Sequence, residues 1–132
     1  MSTTTHQAIT TADAPAPVGP YNQAVQAGGW LYCSGQIPLD PATGEMVGGG
    51  DVEAETRQVL RNLKAVLNAA GTEAAKVVRT TVYLVDLADF QAVNAIYAEM
   101  FGSGVSPARA CVQVAALPKG SKVEIDCIAW LG

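Results

Sequence analysis

The strongest pattern along the chain is helical. Val52, Thr56, Val59, Leu60, Leu63, Val66, Leu67 and Ala70 recur at intervals of three and four, which lays one apolar stripe along a helix. Asp51 stands where an N-cap accepts from the first free backbone N–H groups, and Gly71 where the chain leaves in a left-handed turn. Glu53 and Arg57 lie one turn apart on the wet side and are expected to pair. Phe90, Val93, Tyr97 and Met100 predict a second helix over about 89–101, closed by Gly102. No proline occurs between 42 and 106, so the long elements belong there.

Other segments read as strands. In 30–36, Trp30, Tyr32 and Ser34 share one face and Leu31, Cys33 and Gly35 the other. Segment 22–27 joins it through Gly28-Gly29, a pair suited to a tight hairpin. Segment 77–85 is β-branched and aromatic, and reads as largely apolar on both faces. Segments 108–115 and 122–130 supply two more strands, and a short one is expected near 7–10. The order β, β, β, α, β, α, β, β predicts an α+β fold in one domain over 1–132, with a mixed sheet. Right-handed crossovers put both helices on one face. The opposite face would then be bare, and a bare apolar face predicts a second copy of the chain against it.

Composition narrows the function. With 49% hydrophobic and 15% charged residues, the 132-residue chain is expected to fold rather than remain disordered. The net charge is −4 and the eight lysines and arginines are scattered singly, so nucleic acid is not an expected partner. Nothing marks a membrane: there is no polybasic face and no apolar run of spanning length. Residues 1–11 have neither the basic nor the apolar region of a secretory signal, and three widely spaced cysteines form no disulfide framework. A cytoplasmic location is expected. His6 is the lone histidine and no Cys-x-x-Cys occurs, so no metal centre is expected. Gly48-Gly49-Gly50 lacks the Lys-Ser/Thr of a phosphate loop and reads as a connection.

The unusual residue is Arg109. It sits among Ala108, Ala110, Cys111 and Val112 in a short strand, where alternation groups it with Cys111 and Gln113. A guanidinium keeps its charge, so a partly buried one demands an anion. That anion is either a protein carboxylate such as Glu124, on the strand that follows, or an acidic ligand held in a bidentate fork. An exposed edge arginine, or one in a structural salt bridge, fits the spacing slightly better. Glu124 is a solvated strand residue or, beside an arginine, a group that orients water. Cys111 has no activating base nearby in sequence and reads as structural. Tyr21 either lines a pocket or packs, and Asn94, mid-helix, hints at a hydrogen-bonding task.

Five stretches together resemble the signature segments of the Rid (YjgF-like) family, in its arginine-keeping RidA subgroup. They are Ala14 to Tyr21, Cys33 to Pro38, Val93 to Tyr97, Ser106 to Val114 and Leu117 to Ile125. The resemblance implies a chorismate-mutase-like fold and a homotrimer that uses the free sheet face, with clefts between subunits. It implies hydrolysis of reactive 2-imino acids and enamines, such as 2-iminopropanoate and 2-iminobutanoate, to 2-keto acids and ammonia, without cofactor or metal. On this chain the carboxylate-binding arginine falls on Arg109 and the water-orienting glutamate on Glu124. Tyr21, Ser34, Gly35, Asn94 and Cys111 take the remaining substrate-binding positions. Two other readings stand beside it: a non-catalytic sensor of small carboxylates, and an endoribonuclease or translation inhibitor, against which the acidic charge argues.

Overall fold

In the computed structural model, which describes residues 5–132, the elements run β1 (His6–Ile9), β2 (Ala24–Ala27), β3 (Trp30–Gln36), α1 (Val52–Ala69), β4 (Val77–Leu84), α2 (Phe90–Phe101), β5 (Ala108–Gln113) and β6 (Val123–Trp130). Each predicted element is present, within a residue or two at its ends. Asp51 Oδ1 accepts from Glu53 N at 3.0 Å and caps α1. Gly71, at φ 79°, ends it: its N–H donates to Asn68 O and that of Thr72 to Leu67 O, both at 3.0 Å. Arg57 does not pair with Glu53. Its guanidinium reaches across to Glu99 on α2, 3.0 Å from Oε1.

The strands form one mixed sheet in the order β1-β2-β3-β6-β4-β5. β6 enters between β3 and β4, antiparallel to both, and only β4 and β5 are parallel neighbours. The parallel connections β3-α1-β4 and β4-α2-β5 each carry a helix, and both helices pack on one face of the sheet. The core lies between them: Leu31, Leu63, Leu67, Leu84 and Ile125 are closed to solvent. Truncating any of these to alanine costs about 2–5 kcal/mol.

The other face differs from the expected apolar one. A register shift between Val77 and Arg79 turns Val77 into the core, and Thr80, Val82 and Leu84 follow it inward. Arg79, Thr81 and Tyr83 therefore face outward, opposite Ile128, Asp126 and Glu124 of β6. The open face has a polar middle flanked by exposed Tyr32, Trp130 and Val112. Among the described residues no helix is long and apolar enough to cross a membrane.

A buried amide fastens the amino-terminal segment. Gln23, 2% exposed, gives its Nε2 to the carbonyls of Thr11, Ala14 and Pro15 and accepts from Thr11 N at 2.7 Å. Leaving such buried groups without partners is costly. Gln23→Leu should lower unfolding free energy by about 3 kcal/mol in urea titration; a change below about 1 kcal/mol would show that the segment is held otherwise.

Candidate active site

Arg109 enters from the edge strand β5. Parallel pairing sets it beside Thr80 of β4, a core-facing residue, so its side chain leaves on the helix side of the sheet. There α2 receives it with side chains at i, i+4 and i+7. The Phe90 ring centroid lies 5.5 Å and the Tyr97 centroid 4.8 Å from the guanidinium carbon, and Arg109 Nη1 donates to Asn94 Oδ1 at 2.7 Å. Tyr97 is itself fixed by a 2.7 Å hydrogen bond to Thr80 Oγ1. Among the described residues no carboxylate lies within salt-bridge distance of Arg109. An open hollow of about 430 Å3 adjoins the guanidinium, lined in part by Asn94, Tyr97, Ser106 and Pro107.

Cys111, two residues on, faces the same side as Arg109, beside Val82. Burial raises its thiol pKa, and Arg109 offsets this only in part. A thiol held in the protonated form is a poor nucleophile, so its contribution here is space and backbone.

Glu124 is elsewhere. It pairs with Tyr83 on β4, and that register places it on the open face. β4 lies between β5 and β6, so Arg109 and Glu124 are separated by a strand and project from opposite faces of the sheet. The ion pair that the sequence left open between them does not form. Partial burial raises the Glu124 carboxyl pKa, and neighbouring Asp126 raises it further. Asp126 Oδ2 accepts from the Tyr83 hydroxyl at 3.0 Å.

Three of the predicted residues gather around Glu124. The ladder from β3 to β6 skips from Cys33 to Gln36, so Ser34 and Gly35 form an irregularity beside it. Gly35 needs to be glycine for lack of room: a Cβ there would collide with the Glu124 carboxylate. Ser34 Oγ donates to Asn22 O at 2.6 Å, binding this corner to the loop that carries Tyr21. The Tyr21 hydroxyl accepts from Val18 N at 3.2 Å, and its ring is half exposed beside a crevice shared with Pro17 and Gly35.

The residues singled out in the sequence thus fall into two groups. Tyr21, Ser34, Gly35 and Glu124 form one, on the open face; Asn94, Arg109 and Cys111 form the other, on the helix side. Phe90 and Tyr97, placed by the sequence on the apolar side of the second helix, also bracket the guanidinium; their spacing to Asn94 was the available signal. Gln23, which anchors the Tyr21 loop, carried no signal at all.

The chain matches the family described as endoribonuclease L-PSP over residues 11–131. It is 52% identical over 132 residues to the mouse protein named 2-iminobutanoate/2-iminopropanoate deaminase, covering 100% of this chain and 96% of the relative. Among solved structures, a Rid-family protein from Yersinia pestis superposes with a TM-score of 0.91 at 48% identity, over 95% of this chain and 98% of that one. TdcF from Escherichia coli, solved with bound serine, gives 0.88 at 42% identity, over 94% and 98%.

Because the folded state raises the Glu124 pKa, ionising this group costs stability. The cost is absent below the unfolded pKa, near 4.3, and complete above the folded one. Glu124→Gln should therefore be more stable than the parent at pH 8, with the difference vanishing at about pH 4 in urea titrations. A variant less stable at pH 8 would contradict the assignment.

Proposed function

We propose that this chain, which belongs to the endoribonuclease L-PSP family and is a Rid protein, hydrolyses 2-imino acids such as 2-iminopropanoate and 2-iminobutanoate to 2-keto acids and ammonia. The observation that carries the proposal is the Arg109 guanidinium, propped by Asn94 Oδ1 and two rings beside an open hollow, with no carboxylate within salt-bridge distance among the described residues. Such a group selects a small carboxylate. The deaminase name of the mouse relative and the serine bound to TdcF, itself a small amino carboxylate, support the same reading.

The substrate presents its carboxylate to Arg109, which fixes the adjacent C=N carbon. Water held by Glu124 adds to that carbon; the carboxylate takes the water proton and returns it to the nitrogen. In the collapse of the resulting carbinolamine, Glu124 takes the hydroxyl proton and passes it to the departing nitrogen as the C–N bond breaks, releasing ammonia and leaving the keto oxygen that came from water. A carboxyl pKa raised toward neutrality suits both transfers.

Arg109 and Glu124 leave opposite faces of one sheet, so one copy does not bring them together. The reaction then requires a cleft between copies, Arg109 and Asn94 from one facing Tyr21, Ser34, Gly35 and Glu124 of the next. The homotrimer implied by the family resemblance supplies three such clefts, and the exposed Tyr32, Trp130 and Val112 provide apolar contact around the polar middle of the open face. A second reading, a carboxylate sensor without turnover, draws on the serine of TdcF; turnover separates the two.

The test couples the protein to a threonine dehydratase with semicarbazide present to trap free imine. The parent protein should speed keto-acid release and lower the trapped product. Arg109→Lys and Glu124→Gln should each lose about a hundredfold or more of this effect with assembly intact. Undiminished turnover in Arg109→Ala would overturn the mechanism. Light scattering on the parent should give three times the chain mass, and Val112→Glu should shift it toward the monomer; a monomeric parent would overturn the shared cleft.

A further inference from the structure

The cations stand singly along the chain, but folding gathers three of them. Arg57, Arg61 and Lys64 lie at i, i+4 and i+7 of α1, all exposed, on the outer side of the helix layer. They rim a groove of about 270 Å3 between α1 and α2, floored by Leu60, Ile96 and Met100. Glu99 engages Arg57 through both carboxylate oxygens, at 3.0 and 3.3 Å. Arg61 bonds only the neutral Gln58 Oε1, at 2.9 Å. Among the described residues neither Arg61 nor Lys64 pairs with a carboxylate, although Asp13 lines the hollow that adjoins them. Glu99 engages Arg57 and Asp13 adjoins Arg61 and Lys64, so the cations are offset in part, and the positive charge left over lies at Arg61 and Lys64, on a chain whose net charge is −4.

We propose that this groove docks an acidic amphipathic segment of a partner protein. One bulky apolar side chain of that segment sits on Leu60, Ile96 and Met100, and carboxylates flanking it meet Arg61 and Lys64. Charge complementarity selects the partner's sign and the apolar floor selects its amphipathic character. Nucleic acid fits less well: the row of cations is short, no aromatic side chain lines the groove for base stacking, and the protein is acidic. The contact is small, which places it among weak and transient interactions. It is independent of the proposed deaminase chemistry, because none of the site residues lines this groove.

The experiment is fluorescence anisotropy on the full chain with a dye-labelled, acetylated and amidated 12-residue helical peptide of glutamates with leucines along one face. Saturable binding is expected with a dissociation constant on the order of 100 μM. Exchanging glutamate for lysine, or leucine for serine, should abolish it. The double variant Arg61→Glu, Lys64→Glu should weaken it about tenfold or more, while Arg61→Lys retains it and both variants keep the parent's mass and thermal midpoint. Absence of saturation, or equal affinity in the charge-reversed variant, would overturn the proposal. So would a labelled RNA 12-mer binding the groove more tightly than the peptide.

Discussion

The proposed chemistry turns on a positive charge that cannot be titrated away. A guanidinium stays charged at any physiological pH, and the fold around Arg109, which is exposed in one copy, orients that charge without neutralising it. It does so with two aromatic faces and one amide oxygen, none of them anionic. This holds the side chain in a defined orientation while leaving donors for something else. A carboxylate from the protein would make a better-satisfied structural pair and a useless site. The polar partner being asparagine rather than aspartate is therefore the telling detail of α2.

The second constraint is geometrical. β6 is the last strand made and it inserts between β3 and β4, which carries Glu124 to the middle of the sheet and leaves Arg109 at the edge. Strand alternation then fixes the two on opposite faces. No rotamer change overcomes that separation. The same register exposes Tyr32, Trp130 and Val112 around a polar centre of Glu124, Asp126 and Tyr83, so surface that looks wasteful in one copy frames the carboxylate in the proposed assembly.

Much of the fold was legible because its signals are local. The stripe from Val52 to Ala70, the cap at Asp51 and the exit at Gly71 each depend on neighbours in the chain, and each appears in the structure. What stayed hidden depends on pairing across distance. The insertion of β6 is a non-local choice, and without it Glu124 looked like a neighbour of Arg109. The shift at Val77 takes that residue off the face of Arg79, Thr81 and Tyr83 and into the core, which leaves the outer side of β4 polar. Arg57 passes over its helical neighbour Glu53 for Glu99 on the adjoining helix. Of the site, Arg109 stood out because a lone cation in an apolar strand is anomalous. Asn94 hinted at a hydrogen-bonding task by its place mid-helix and Gly35 came with the family resemblance, and the structure adds the reasons: a hydrogen bond to Arg109 for the first, no room beside Glu124 for the second.

In the proposed assembly one copy supplies the arginine and another the glutamate. Subunit mixing distinguishes this from a site within one copy. Arg109→Ala and Glu124→Gln chains, each inactive alone, are unfolded together in equal amounts and refolded, and imine hydrolysis is measured against a parent control treated alike. A shared cleft predicts activity returning to about a quarter of the parent level, since random assembly puts an intact arginine opposite an intact glutamate at that frequency. No recovery in assemblies shown by mass to contain both chains would contradict it.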